Sequence, residues 1–237
     1  MALDALFFGA HPDDVELTSG GLAALLAGHG HGVGIVDLTR GEAGSRGAPE
    51  ERAREAEAAA QALGVTMRSS LGLPDLGLDR RDRAQLRAVV ACLREHRPRL
   101  VVGPERRDAH PDHVEASHLV SRACYLAGLA RFDAPGERMR PRRVLFALYR
   151  GGATAHLVVD VTAVWEQRMK ALREHASQLG AGAGPKTYLT DARFLAEVEA
   201  RARVLGASIG TTYGEGYRSA GPLGIHDARA LLGEEQP

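Results

Sequence analysis

The stretch Gly9-Ala10-His11-Pro12-Asp13-Asp14-Val15-Glu16 decides how this chain is read. A continuously apolar run, residues 3–8, ends there, and a helix-like pattern over about 15–26 begins there. A buried parallel strand that hands over to a helix leaves the imidazole and both carboxylates at the C-terminal edge of a sheet, where open α/β folds hold their ligands. A second stretch of the same kind, Asp108-Ala109-His110-Pro111-Asp112-His113, follows another apolar run at 100–103. Two His/Asp clusters, each closing a strand, read as one site.

The pattern between and around them is regular. Strands are expected at 3–9, 33–38, 66–71 and 100–103, and helices at 15–26, 50–63, 83–96 and 112–126. In the third helix Leu86, Val89, Val90 and Leu93 follow the 3.6-residue period, and Pro98 stops it. Gly64 ends the second. Strand and helix in alternation give a parallel sheet with right-handed crossovers. A strand order of 3-2-1-4-5 makes strands one and four neighbours at the switch point. His11, Asp13, Asp14, His110, Asp112 and His113 then converge in one crevice, with the Leu73-Pro74-Asp75 loop at the same edge. Beyond residue 129 the pattern loosens. A Pro/Arg-rich loop at 138–143 precedes strands at 144–148 and 157–161 and helices at 165–178 and 191–205. The Gly-rich, aromatic stretch 211–217 is unlike a disordered tail, and 233–237 is expected to fray. The expected fold is α/β: a Rossmann-like, mostly parallel sheet flanked by helices, with the C-terminal strands and helices packed on the same domain. One domain spans 1–237, with a core at 1–128 and an extension at 129–237.

Composition narrows the function classes. Hydrophobic residues are 44% and charged residues 25%, with formal net charge zero, so no global field recruits nucleic acid or an anionic membrane. No apolar stretch reaches the roughly 18 residues a membrane span requires, and the N-terminus lacks a basic leader, so a cytoplasmic location is expected. Cys92 and Cys124 have no metal or disulfide spacing and read as buried apolar residues in a reducing compartment. The glycines at 28–34 are out of register for GxGxxG and precede a strand; they read as a helix stop, with His29 and His31 as solvated turn residues. The loop 39–47 lacks GxxxxGK[ST]. Arg52 and Glu55, at i, i+3 on the helix 50–63, read by themselves as a surface ion pair.

Imidazole and carboxylate donors suit a borderline divalent ion, zinc first, with ferrous iron the alternative. His11 and Asp14 at i, i+3, with His113 from the neighbouring strand end, supply three ligands and leave positions open for water and a substrate oxygen. That is the pattern of a catalytic site holding one ion per chain. Asp13 is left over beside the metal as a general base. His110 is placed to donate to an oxyanion, with Asp112 fixing its tautomer and favouring its charged form. A lone His-x-x-Asp is otherwise an ordinary capped turn; the pairing of two clusters argues against that here.

Ala10-His11-Pro12-Asp13-Asp14-Val15-Glu16 followed by Gly20-Gly21 resembles the signature of the LmbE-like zinc deacetylases. Leu38-Thr39-Arg40-Gly41-Glu42, Arg52-x-x-Glu55, Leu63-Gly64-Val65, Leu73-Pro74-Asp75 and His110-Pro111-Asp112-His113 agree in order. The stretches 170–178 and 213–217 resemble the bacillithiol-biosynthesis branch, the N-acetylglucosaminyl-malate deacetylases. The resemblance implies zinc on His11, Asp14 and His113, Asp13 as the base, and His110 with Asp112 on the oxyanion. It also implies that Arg52, Glu42, Tyr213 and Glu215 line a pocket for a small amino-sugar substrate, and that the chain forms a homo-oligomer, a trimer or hexamer. The loop 41–47, with Arg46, is richer in Gly and Arg than that branch. The expected reaction is hydrolysis of an acetamide on N-acetylglucosaminyl-malate. The rivals are a deacetylase of another N-acetyl sugar (a chitin oligosaccharide or a mycothiol-like conjugate), a nucleotide-binding module, and a metal- or sugar-binding protein without turnover.

Overall fold

A computed structural model describes residues 2–149, 154–180 and 184–224. Five strands are parallel: β1 (Ala5–Gly9), β2 (Val33–Asp37), β3 (Met67–Ser70), β4 (Leu100–Pro104) and β5 (Arg143–Ala147). They stand in the expected order, and β6 (Leu157–Asp160) and β7 (Gly214–Ser219) extend the same sheet to β3-β2-β1-β4-β5-β7-β6. β7 runs antiparallel to both of its neighbours. The sequence expectation left 211–217 without an element. Gly214 and Gly216 give no alternating apolar signal, and it is pairing with β5 and β6 that makes the segment a strand.

Alternation along β1 divides the interior. Leu6 and Phe8 face one layer with α4 (Arg83–His96) and α5 (Pro111–Leu126). Ala5 and Phe7 face the other, with α2 (Gly20–Gly28), α3 (Pro49–Leu63) and α6 (Trp165–Arg173). Both faces of β1 and β2 are covered, which is why each is apolar nearly throughout. Asp82 caps α4, its Oδ1 accepting from the amides of Ala84 at 2.7 Å and Gln85 at 3.1 Å. α8 (Phe194–Ala207) closes a third apolar cluster with Trp165, Met169 and Leu172 of α6.

Two expected helices are broken. The helix read at 15–26 is α1 (Asp14–Thr18) and α2, separated at Ser19, whose φ of -146° and ψ of 14° are not helical. The break frees the amides of Gly21 and Leu22, which donate to the Glu215 carboxylate at 2.7 and 2.9 Å. A Cβ at position 21 would lie 2.7 Å from Val161 Cγ1 and 2.8 Å from Glu215 Oε1, so only glycine admits this approach. The helix read at 165–178 is α6 followed, after Glu174 and His175, by α7 (Ala176–Leu179). The residues expected to fray, 233–237, lie outside the described ones.

A buried charge cluster ties α1 to the sheet. Arg68 on β3 donates from Nε and Nη2 to both Asp37 oxygens, at 2.8 and 3.0 Å, and from Nη1 to Glu16. Burial works against the charge of Glu16, yet Arg68 and His175 hold its carboxyl down at about 2. Replacing Arg68 with methionine leaves two buried carboxylates without their cation. We expect Arg68→Met to lose on the order of 3 kcal/mol or more in denaturant unfolding, the scale for stranding one side of a buried pair. A loss within about 0.5 kcal/mol, the scale of a surface substitution, would mean that the cluster contributes nothing to stability.

Candidate metal centre and reaction pocket

The parallel pairing of β1 with β4 sets Phe7 opposite Val102 and brings the two His/Asp stretches side by side beyond the strand ends. A cavity of about 440 Å³ opens there, lined among others by His11, Asp13, Asp14, His110 and His113. Of the six residues expected in the crevice, five line it; Asp112 stands behind them, 2% exposed, in contact with His11.

The imidazoles are oriented by carboxylates. His113 Nδ1 lies 3.1 Å from Asp108 Oδ2, and its Nε2 lies 3.1 Å from Asp14 Oδ1. His11 Nε2 lies 3.1 Å from Asp75 Oδ1 and 3.3 Å from Asp112 Oδ2, leaving Nδ1 facing Asp14 Oδ2 at 3.6 Å. A histidine whose far nitrogen donates to a carboxylate has its near nitrogen fixed for a cation. A ligand atom from each of His11, His110 and His113 also lies within 4.8 Å of the others, as does one from each of His11, Asp75 and Asp112. Burial works against the charge on His11, but Asp112, Asp14 and Asp75 push it up to about 12; against the same effect Asp14 and Asp108 push His113 up to about 10. Burial also opposes the charge on Asp14, yet His113 and His11 hold it well below the usual carboxylate range. The pocket thus carries an acid surplus that calls for positive charge, supplied by protons on the imidazoles or by a divalent cation. This donor set of neutral imidazoles and a carboxylate fits zinc or a similar ion.

Asp13 adopts φ 112°, a left-handed conformation costly for a residue with a side chain and found where function demands it. Burial raises its carboxyl to about 6, with Arg52, 3.7 Å away, pulling in the opposite direction. Arg52 does not pair with Glu55. It donates to the carbonyls of Pro12 at 2.7 Å and Gly41 at 3.1 Å, while Glu55 accepts from the Ser177 amide and hydroxyl. A Cβ at Gly41, which has φ +68°, would lie 1.9 Å from Arg52 Nη1. Arg52 is therefore not a surface ion pair: it lines the cavity and lies against Asp13.

Other expectations are corrected. The Asp112 carboxylate does not orient His110; it serves His11 and the Leu76 amide at 2.8 Å. His110 is held by the backbone instead. It caps α5, its Nδ1 accepting from the Asp112 amide at 3.2 Å, which puts the ring proton on Nε2. Burial lowers its pKa, and the neighbouring His11 and His113 lower it further, so neutral imidazole and not imidazolium faces the pocket. Glu42 is exposed and accepts from the amides of Asp75 at 3.0 Å and Arg40 at 3.2 Å, bracing the Asp75 loop rather than lining the pocket. Tyr213 stacks on Trp165, ring centroids 4.2 Å apart, and bonds to Arg203 and Glu199. Glu215 lines a neighbouring cavity and not this one, its carboxylate engaged by the α2 amides, Arg168 Nε at 3.1 Å and the Tyr217 hydroxyl at 2.7 Å. Arg46 is a clamp, donating to the carbonyls of Ser177, Gly180 and Pro185.

Sequence reading gave no role to Asp108, Tyr149 or Gln178. Asp108 stood in the quoted cluster and orients His113; its Oδ1 also accepts from the His110 amide at 2.8 Å. Tyr149 and Gln178 line the cavity from segments whose approach nothing local announces.

The fold and site define an α/β protein with a buried His/Asp cluster of metal-ligand type at the switch point of a mostly parallel sheet. The profile of the family described as PIG-L, GlcNAc-PI de-N-acetylase, matches residues 6–124, and the chain belongs to this PIG-L/LmbE-like deacetylase family. A Catenulispora acidiphila protein named 1D-myo-inositol 2-acetamido-2-deoxy-alpha-D-glucopyranoside deacetylase 2 is 33% identical over 173 residues, 59% of this chain and 57% of that one. The match thus spans little more than half of that relative. A conserved Thermus thermophilus protein of known structure is 36% identical and superposes with a TM-score of 0.86, covering 94% of this chain and 97% of its own. The N,N'-diacetylchitobiose deacetylase of Pyrococcus horikoshii shares the fold at 24% identity and a TM-score of 0.79, over 91% of this chain and 82% of its own. Among the described residues no helix is long and apolar enough to cross a membrane.

If His11 and His113 hold a metal, Asp14 or His110 would supply the third ligand. With Asp14 as ligand, Asp14→Ala abolishes stoichiometric zinc in equilibrium dialysis and His110→Ala retains it; the reverse outcome assigns His110. Because His11 and His113 are pushed up in the metal-free protein, zinc uptake at neutral pH displaces their protons. Calorimetry in buffers of different ionisation enthalpy should count about two released per ion, since ligating imidazole is neutral. Uptake with no proton release would contradict the charge balance described above.

Proposed function

We propose that this protein hydrolyses the acetamide of an N-acetylglucosamine conjugate, releasing acetate and the free amine. The observation that carries the reading is the placement of Asp13, a carboxylate held in a strained conformation with a raised pKa, beside His11, Asp14 and His113, with the His110 ring proton on the same cavity. The de-N-acetylase family and the amino-sugar deacetylases among its relatives support it.

His11, Asp14 and His113 would hold the divalent cation, which when bound supplies Lewis acidity towards the acetamide carbonyl and acidifies water. The residues of the chain do the rest. Asp13 accepts a proton from water as its hydroxyl oxygen adds to the acetamide carbon. Its raised pKa, near the working pH, suits both this step and the return of the proton to the amine nitrogen when the C–N bond breaks. His110 donates Nε2–H to the oxygen on which charge develops, and a neutral ring with Nδ1 already engaged does so without losing its proton. Arg52 holds Asp13 through the Pro12 carbonyl and its own charge.

For the aglycone, the resemblance at 170–178 and 213–217 argues for the malate glycoside of the bacillithiol branch. Tyr213 and Glu215 serve packing and capping here, so that argument rests on 170–178. The inositol glycoside named for the Catenulispora relative is the second reading.

The test is an end-point assay on zinc-loaded protein with N-acetylglucosaminyl-malate, the inositol glycoside and N,N'-diacetylchitobiose, with the free amine detected by mass spectrometry beside a chelated control. Chelator-sensitive amine from one of the three supports the reading, and amine from none overturns it. Asp13→Asn should keep its metal and lose nearly all turnover. His110→Ala should lower kcat by about 10²-fold or more, the cost of one oxyanion donor. A zinc-loaded Asp13→Asn protein of normal activity would remove Asp13 as the base, and an unchanged kcat would remove His110 from its role.

A further inference from the structure

A second cavity, of about 330 Å³, lies beside the reaction pocket, and Leu17 and Tyr149 line both. Leu17 stands on α1, one turn after Asp14, so the two spaces are separated by little more than these side chains. The other walls are chiefly the apolar side chains of α8, Val198, Ala202 and Leu205, with the first residues of β7.

Three charged residues face this space, and two are fully engaged. Arg168 donates to the carbonyls of Glu16 at 3.0 Å and Leu17 at 2.8 Å and pairs with Glu215, whose remaining bonds go to the Gly21 and Leu22 amides and the Tyr217 hydroxyl. Arg201 differs. Its guanidinium lies over the Tyr149 ring, 5.7 Å from the centroid, and its buried Nη2 has no hydrogen-bond partner among the described residues. The nearby carboxylates of α8 are committed elsewhere, Glu197 to the Tyr188 hydroxyl and Glu199 to Arg203 and Tyr213. Among the described residues no carboxylate pairs with this guanidinium on the cavity wall, and a carboxylate is the group that suits it best.

We propose that this cavity is the subsite for the part of the substrate beyond the amino sugar, and that it takes an anionic group on an apolar stem, the carboxylate received by the Arg201 guanidinium. The occupant's identity rests on the amino-sugar reading above; the anion site itself rests on the cavity and Arg201. Shared walls place the occupant next to the reacting acetamide, and the chiefly apolar side chains of α8 favour a stem with apolar surface over a bare polyol.

Binding is measured first, by calorimetry on the zinc-loaded full chain, with 3-phenylpropionate and its uncharged amide as probes. The acid should bind about 10-fold more tightly than the amide, the scale of one charge-assisted hydrogen bond, and Arg201→Gln should erase the difference. Leu205→Trp, which fills the cavity and leaves Arg201 in place, should abolish binding of both. Turnover is measured next, with the 4-carboxyphenyl and 4-carbamoylphenyl N-acetylglucosaminides, which differ in charge and hardly in shape. Wild type should show the lower KM for the carboxylate, and Arg201→Gln should raise that KM about 10-fold while leaving the carbamoyl KM and both kcat values unchanged. Acid binding equally to wild type and Arg201→Gln would place the carboxylate on the metal centre and overturn the proposal, as would KM values indifferent to the charge. If neither glycoside is deacetylated while acid binding still depends on Arg201, the amino-sugar reading fails and the anion site stands.

Discussion

The parallel pairing of β1 with β4 is the constraint from which the rest of the molecule follows. It is the point where the chain, having added β2 and β3 on one side of β1, begins to add strands on the other. Crossover helices lead away in opposite directions there, and a crevice opens between them that no backbone fills. His11, Asp13 and Asp14 leave β1 into it, and Asp108, His110 and His113 enter it from the loop after β4. Neither stretch makes a site alone: His113 needs Asp14 from across the pairing, and His11 needs Asp112.

Concentrating charge in this way has to be stabilised from behind. Asp13, Asp14, Asp75, Asp108 and Asp112 surround three imidazoles, and each carboxylate has a donor fixed by another element. Below them Glu16, one turn from Asp13, is held by Arg68 of β3 and approached by His175. Arg168 fastens the end of α1 by its carbonyls. These buried ions are weak evidence for stability as such. Their effect is positional, because each joins α1 to a different part of the molecule, and α1 carries Asp14, with Asp13 at its N-cap, into the cavity. The break at Ser19 belongs to the same arrangement: a continuous helix would have kept the Gly21 and Leu22 amides that Glu215 engages.

Much of this was legible in the chain. Runs such as 3–8 and 100–103 are too short and too apolar for surface helices, and their alternation with amphipathic helices fixed the sheet order, hence the convergence of the two clusters. Much of what the sequence concealed depends on which way a side chain turns after the backbone is placed. Asp112 and Asp108 are both near His110, and only the loop geometry decides that Asp108 serves His113 and Asp112 serves His11. Tyr213 and Glu215 sit in a motif-like stretch, but a motif does not distinguish a residue that touches substrate from one that caps a helix. β7 escaped notice because its burial comes from β5 and β6, not from its own composition.

The electrostatics of the pocket bear on the division of labour between His110 and its neighbours. His11 and His113 are surrounded by carboxylates and driven towards the charged state, so they are the positions at which a bound cation would replace a proton. His110 shares the same few ångströms, its ring stacked 4.9 Å from that of His113, yet it is driven the other way. Its Nδ1 is used by the Asp112 amide, and among the described residues no carboxylate pairs with it directly, so it keeps a single proton on Nε2. A ring in that state is a hydrogen-bond donor whose proton is not readily surrendered, which suits the oxyanion role proposed for it. The difference in charge state among three histidines of one cluster is therefore set by what lies behind each ring: carboxylates behind two of them, and a helix N-terminus behind the third.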